Sequence, residues 1–153
     1  MRPDGKTILL VSNGSNQDIR NVLESLMPIS KRQTLILAKR FKGKTDFETC
    51  YNVWKFLKRD IRYIADGKEN QDIRLPLRLI SSKIGDCKSF SLFAASILTN
   101  LKINCLFTYA SYNEYDRTPT HVYITTSNGT IVDGVLPEFN YEKPPTYKQY
   151  KRI

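Results

Sequence analysis

The segment Gly85-Asp86-Cys87-Lys88-Ser89-Phe90 stands at the start of a helical apolar pattern. After it, apolar side chains recur at a spacing of three or four residues, as Phe90, Phe93, Ala94, Ile97, Leu98 and Leu101. The sequence therefore predicts a mostly buried helix with Cys87 in its first turn. Because the first N–H groups of a helix are unpaired and its dipole is positive at that end, this position favours a thiolate.

The only histidine of the chain, His121, and Asp133 follow on two predicted strands, 121–126 and 130–135. Cysteine, histidine and aspartate can act together as a nucleophile, a general base and an acid that orients the base. The order along the chain therefore suggests a catalytic triad.

The turn between the two strands decides whether His121 and Asp133 can meet. A two-residue turn at Asn128-Gly129 would set Asp133 opposite Ile124, and the two side chains would point to opposite faces of the sheet. A three-residue loop, 127–129, with a left-handed Gly129 forming a bulge, sets Asp133 opposite Tyr123 and on the face of His121. The triad requires this bulged hairpin, which the sequence permits.

Three motifs resemble the transglutaminase-like superfamily of cysteine enzymes: Gly85-Asp86-Cys87 opening a helix, His121-Val122-Tyr123 starting a strand, and Ile131-Val132-Asp133 on the next strand. The segments 54–57, 61–66 and 73–76 are similar to the lead-in of small bacterial and phage members. The resemblance implies an α+β, papain-like fold in which the catalytic cysteine opens a helix packed on an antiparallel sheet. It also implies the catalytic triad Cys87, His121 and Asp133.

In such an enzyme Cys87 attacks an amide or ester carbonyl, His121 takes the thiol proton, and Asp133 holds the imidazole. The backbone N–H of Cys87 is a natural oxyanion donor. Tyr63, upstream in the resembling region, is the candidate for a second donor in the pocket. The residues after the histidine (Val122-Tyr123) and after the aspartate (Gly134) differ from those of transglutaminases proper, so the acyl donor and acceptor do not follow.

We expect a cysteine-dependent peptidase or amidase that needs no cofactor and no metal. A second interpretation is a transglutaminase that crosslinks proteins through an amine. A third is a non-catalytic virion or adaptor protein that keeps the fold and binds through a basic surface. Retained thiol reactivity separates the enzymes from the adaptor, and product analysis separates hydrolysis from transfer.

The length of 153 residues predicts one domain, with a core at about 47–135, an N-terminal extension at 1–45 and a C-terminal tail at 137–153. Within the extension we expect a strand or arm ending at Asn13-Gly14-Ser15, a helix at 18–27 limited by Pro28, and an ambiguous apolar run at 34–38. Asp46 is predicted to cap a helix to about Tyr63. A break at Asp66-Gly67 and a polar loop to Arg74 are expected to follow, and then an extended or turn-like segment at 76–80. A strand is expected from Ile103, then a polar loop at 111–119 beside the site, and finally a tail that lies across the surface.

Three cysteines do not make a disulfide framework, and Cys50 and Cys105 are expected in the core. The formal net charge is +9, with basic residues concentrated at 39–62. Such a surface suits an acidic polymer or a virion protein in addition to a protein or peptide substrate, although it is also typical of a solvated helix face. No apolar run approaches the roughly 18 residues of a membrane span, so we expect no membrane partner. We expect a cytoplasmic or virion-associated protein of phage or bacterial type without a signal peptide.

Overall fold

The computed structural model describes residues 7–12, 16–65 and 70–153. The start of the N-terminal arm, the turn expected at Asn13-Gly14-Ser15 and the break expected at Asp66-Gly67 lie outside these residues. The described residues form five α-helices: α1 (Asn16–Ser25), α2 (Met27–Thr34), α3 (Asp46–Asp60), α4 (Pro76–Ser82) and α5 (Cys87–Asn100). A 3-10 helix spans Leu37–Phe41. The described strands are β1 (Thr7–Ser12), β2 (Arg62–Tyr63), β3 (Asn70–Arg74), β4 (Ile84–Gly85), β5 (Cys105–Ser111), β6 (His121–Thr126), β7 (Ile131–Val132) and β8 (Tyr147–Arg152).

Helix α5 is the centre of the fold, as its apolar pattern predicts. Every residue from Lys88 to Leu98 is buried, and the helix packs against α2, α3, α4 and the strands β5 and β6. A helix covered on all sides needs apolar residues around its whole circumference, which explains the run of Phe, Leu, Ala and Ile after Ser91. The predicted α+β class, with the cysteine-bearing helix packed on an antiparallel sheet, is confirmed.

The main sheet has four antiparallel strands in the order β7-β6-β5-β8. In the β6–β7 hairpin, Ile124 pairs with Val132 and Thr125 with Ile131. Gly129 has a φ of 85° and donates its N–H to the carbonyl of Thr126. The same register continued by one residue sets Asp133 opposite Tyr123, so the bulged three-residue loop is confirmed.

The C-terminal tail does not merely lie across the surface, as we had expected, because it contains strand β8. This strand pairs along β5 from Ser111–Tyr147 to Leu106–Arg152. All six of its side chains are exposed, so no apolar alternation marks it in the sequence. Backbone pairing stabilises it, because β5 would otherwise present a row of unpaired N–H and C=O groups.

Two further expectations were wrong for local reasons. The polar loop expected before Arg74 contains β3, which pairs antiparallel with β1 through backbone hydrogen bonds that its polar composition conceals. The extended or turn-like segment expected at 76–80 is helix α4, with Pro76 in the first turn, where its missing N–H costs no hydrogen bond.

The remaining helix boundaries also differ from expectation. The predicted helix at 18–27 belongs to two helices, since α1 ends at Ser25 and Pro28 lies in the first turn of α2. The ambiguous run at 34–38 forms the end of α2, a turn and the start of the 3-10 helix. Thr45, not Asp46, caps α3 by accepting the N–H of Glu48, and the helix ends at Asp60. Among the described residues, no helix is both long and apolar enough to cross a membrane.

Candidate active site

Cys87 is the first residue of α5, and the residues around it hold that helix end in place. Asp86 is the N-cap, and its Oδ1 accepts the N–H groups of Lys88 and Ser89, both at 3.2 Å. Its Oδ2 forms a buried ion pair with the Lys88 ammonium. Because the cap satisfies the two N–H groups after Cys87, the N–H of Cys87 itself is left at the tip of the helix, beside its own side chain.

Two hydrogen bonds attach the first turn of α5 to its neighbours. Ser91 Oγ, one turn after Cys87, donates to the carbonyl of Val122 at 3.0 Å. Ser89 Oγ accepts the backbone N–H of Arg74 at 2.8 Å. The first bond is to the residue after His121, so it sets the start of α5 against the start of β6.

His121 lies between Cys87 and Asp133. Its Nε2 is 2.7 Å from Asp133 Oδ2. Cys87 is close enough to the same imidazole to raise its pKa. Since Nε2 faces the carboxylate, Nδ1 is the ring nitrogen left for the thiol. The second Asp133 oxygen accepts the N–H of Val135 at 3.1 Å, which orients the carboxylate. The structure therefore brings the three predicted residues together in one row, with a hydrogen bond between His121 and Asp133.

Burial differs along this row. The Asp133 side chain is 3% exposed and that of His121 is 13% exposed, while Cys87 is only partly buried. Burial alone lowers the pKa of His121, but the hydrogen bonds and negative charges of Asp133 and Cys87 outweigh it and raise the pKa from 6.5 to about 10. The imidazolium form is therefore strongly favoured beside a partly accessible thiol.

The backbone directly after Asp133, at Gly134, passes through a space too narrow for a side chain. A Cβ at this position would lie 2.8 Å from Phe90 of α5 and 3.0 Å from Leu57 of α3. The backbone that carries Asp133 is thus packed directly against the helix that carries Cys87.

Tyr63 lies beside the cysteine, although it is at the surface. In the parallel pairing of β2 with β4 it stands opposite Gly85, two residues before Cys87, and its ring centroid is 6.1 Å from that of Phe90. Partial burial, followed by the charges of Cys87 and Asp86, raises the pKa of Tyr63, and Lys88 partly opposes this. The Tyr63 hydroxyl therefore keeps its proton and is available as a hydrogen-bond donor.

Three further residues surround His121, and sequence reasoning did not assign them to the site. The rings of Tyr112 and Tyr123 lie 6.3 and 5.6 Å from the imidazole. The Tyr123 hydroxyl donates to Glu142 at 2.5 Å, and Glu142 also accepts from Lys148. Tyr112 belongs to the loop expected beside the site, and its aromatic ring was the available signal. No sequence signal pointed to Glu142, because it belongs to the tail that was expected to lie across the surface.

A small cleft of about 40 Å³ adjoins the capped end of α5. Its lining is mainly polar and consists of Ile64, Asp72, Arg74, Ile84, Gly85, Asp86 and Ser89. The Arg74 guanidinium is held in place because its Nη1 donates to the carbonyl of Ile84 at 2.8 Å. The cleft therefore offers a substrate an ordered polar wall next to Cys87.

The other two cysteines have the core positions expected of them. Cys50 is fully buried and Cys105 is 6% exposed. Burial raises the pKa of each thiol to about 12, with the Asp46 charge adding to the effect at Cys50 and Cys50 itself at Cys105. In the described part of the chain, no group of three or more His, Cys, Asp or Glu side chains could hold a metal ion.

Comparisons with known proteins concern the family and the fold of the chain. A family model described as a transglutaminase-like domain matches residues 32–143. Legionella pneumophila LapG has a similar structure, with a TM-score of 0.53 and 17% identity over 86% of this chain and 77% of LapG. A candidate cysteine protease from Cytophaga hutchinsonii matches with a TM-score of 0.46 and 14% identity over 68% of this chain, which spans 37% of that protein's length. No curated protein matches the sequence.

Proposed function

Because the chain belongs to the transglutaminase-like domain family, we propose that it is a cysteine hydrolase that cleaves an amide bond in a protein or peptide. Cys87 is the nucleophile, His121 the general acid and base, and Asp133 the residue that orients the imidazole. The observation that carries the proposal is the imidazole of His121, which is hydrogen-bonded to Asp133 and has its pKa raised by Asp133 and by Cys87, the first residue of a helix.

The chemistry follows from these positions. In the reactive form the proton of the Cys87 thiol already lies on His121, whose imidazolium form is favoured, and the Cys87 sulfur attacks the amide carbonyl to form a tetrahedral oxyanion. Collapse of this intermediate breaks the C–N bond while the imidazolium protonates the leaving amine, and a thioester on Cys87 remains. His121 then takes a proton from water, which attacks the thioester and releases the acid product with the free thiol.

The oxyanion needs donors that point to where its charge develops. The N–H of Cys87 is one, because it lies at the positive end of α5 beside the attacking sulfur. The Tyr63 hydroxyl is proposed as the second, because Tyr63 pairs with Gly85 on the edge of the same site.

Replacing Tyr63 with phenylalanine is expected to lower kcat roughly 10- to 100-fold and to leave KM nearly unchanged, since the lost hydrogen bond acts on the transition state. Steady-state kinetics on a chromogenic peptide amide measures both constants. Tyr115→Phe is the matched control, because Tyr115 is 95% exposed and belongs to a different loop. A rise in KM at constant kcat would instead make Tyr63 a substrate contact.

Hydrolysis is proposed over transfer to an amine. The formal net charge of +9 disfavours the approach of a cationic amine. The motif residues that follow His121 and Asp133 also differ from those of transglutaminases proper.

The proposal is tested by incubating the protein with a glutamine-containing peptide library and a labelled primary amine, followed by mass spectrometry. We expect Cys87-dependent hydrolysis to exceed amine incorporation, and Cys87→Ala to give neither product. Amine incorporation in excess of hydrolysis would identify the protein as a transglutaminase. No turnover together with an unreactive Cys87 thiol would favour a non-catalytic adaptor.

A further inference from the structure

A second surface of the protein combines exposed aliphatic side chains with cations. Residues 27–41 run through α2 and the 3-10 helix, and the two residues between them, Leu35 and Ile36, keep right-handed helical dihedrals. Thr34, Ala38 and Phe41 face the core. The opposite side presents the basic apolar face, which consists of Lys31, Arg32, Leu35, Ile36, Lys39 and Arg40.

The aliphatic residues of this face are unusually open to solvent. Leu35 is 60% exposed and Ile36 is 79% exposed, and they are neighbours in the chain. Lys31 and Arg32 come just before them, and Lys39 and Arg40 just after. At helical spacing, an apolar pair is therefore bracketed by one pair of cations on each side.

No acidic residue offsets this charge locally. The stretch 25–45 contains six Lys or Arg residues and no Asp or Glu. Within the described part of the chain, none of the four cations of the basic apolar face forms an ion pair. The basic apolar face is therefore a strongly positive surface with an aliphatic centre.

This face is remote from Cys87. The Asn100 amide donates to the carbonyl of Lys31 at 2.9 Å and to Thr34 Oγ1 at 3.0 Å, so the face lies at the C-terminal end of α5. Cys87 opens the same helix, and its 14 residues extend about 20 Å. A partner bound to the basic apolar face would leave the candidate active site open.

We propose that the basic apolar face docks the protein onto an anionic lipid bilayer. Cations attract the negative surface of such a membrane, and two exposed aliphatic side chains can enter the boundary between headgroups and acyl chains. The phosphates of a nucleic acid would attract the cations, but its bases stack on aromatic rings and would not favour exposed Leu and Ile. We expected no membrane partner because the sequence lacks a spanning segment, and a peripheral contact requires none.

Co-sedimentation with vesicles tests the proposal on the full-length protein. We expect binding to phosphatidylcholine vesicles that contain about 30% phosphatidylglycerol, weaker binding to pure phosphatidylcholine, and weakening as salt rises. Replacing both aliphatic residues (Leu35→Ser with Ile36→Ser) should lower the partition coefficient more than about tenfold. Replacing two cations (Lys39→Gln with Arg40→Gln) should lower it about 30-fold.

Matched variants elsewhere on the surface distinguish a contribution of the basic apolar face from a general effect of net charge or of exposed apolar side chains. Arg59→Gln with Lys83→Gln removes two exposed cations, and Tyr115→Ser removes an exposed apolar side chain, and neither should change vesicle binding by more than about twofold. Thermal unfolding of each variant checks that the fold persists. Hydrolysis of a soluble peptide should be unchanged in all of them, so the test does not depend on the proposed function.

Two results would overturn the proposal. One is absence of binding to the anionic vesicles, or binding that the variants of the basic apolar face do not reduce. The other is tight binding to a single-stranded oligonucleotide that the two cation substitutions abolish and the two aliphatic substitutions leave intact, which would identify a nucleic-acid surface instead.

Discussion

Replacing Cys87 with alanine is expected to abolish hydrolysis, with a loss in kcat/KM on the order of 10⁵-fold, because the bond to the substrate acyl group can no longer form. The side chain is only partly buried, so removing its sulfur should leave the fold and its thermal unfolding almost unchanged. Initial rates on a peptide amide, compared with the unfolding temperature, separate loss of chemistry from loss of structure.

The other two cysteines are the controls for this experiment. Cys50→Ala and Cys105→Ala should cost some stability, because both thiols are buried, but should keep kcat. Brief iodoacetamide treatment near pH 8 should label Cys87 first, since burial raises the pKa of Cys50 and Cys105 to about 12 and keeps them protonated. Uniform labelling, or activity retained in Cys87→Ala, would remove Cys87 from the site.

Replacing Asp133 with asparagine is expected to lower kcat/KM roughly 10²- to 10⁴-fold. It should also shift the alkaline limb of the pH profile of kcat/KM to lower pH. In the native protein the pKa of His121 is raised to about 10, so the imidazolium persists across neutral pH and is lost only near pH 10. Without the carboxylate, burial still lowers the pKa of His121 while the main opposing interaction is gone. The pH dependence of kcat/KM for both proteins measures the shift.

The same substitution has a second readout in stability. Because the folded pKa of His121 lies above its ordinary 6.5, its contribution to stability is complete below pH 6.5 and is lost as pH rises through about 10. The free energy of unfolding of the native protein should therefore fall over this range more steeply than that of Asp133→Asn. Asp60→Asn, at an exposed helix end, should change neither profile. Identical pH profiles for the native protein and Asp133→Asn would mean that Asp133 does not act on His121.

Local patterns in the sequence were sufficient for the parts of the fold that depend on near neighbours. The period of Phe90, Phe93, Ile97 and their neighbours predicted α5, and Cys87 is its first residue. The alternation after Ile103 predicted a strand, and the Gly129 turn set the register of the hairpin. These features could be predicted because helical spacing, strand alternation and turn conformation depend on a few adjacent residues.

The contacts that complete the site were decided by the tertiary structure. Glu142 accepts from Tyr123 across 19 residues of chain. Strand β8, which follows Glu142, forms through backbone hydrogen bonds to the distant edge of β5. Ser91 bonds the carbonyl of Val122 across 31 residues of chain, and no spacing in the sequence indicates it.

The sequence by itself thus determined the class of fold and the helix that Cys87 opens, and it permitted the bulged hairpin that sets His121 and Asp133 on one face. Only the tertiary structure decided that Cys87 reaches His121, that Tyr63 stands beside Gly85, and that Leu35 and Ile36 remain uncovered among cations. The physical reason is the distance along the chain over which the interactions act. Periodicity and turn chemistry act between adjacent residues, whereas burial, edge pairing and exposure depend on which distant segments come to lie against each other.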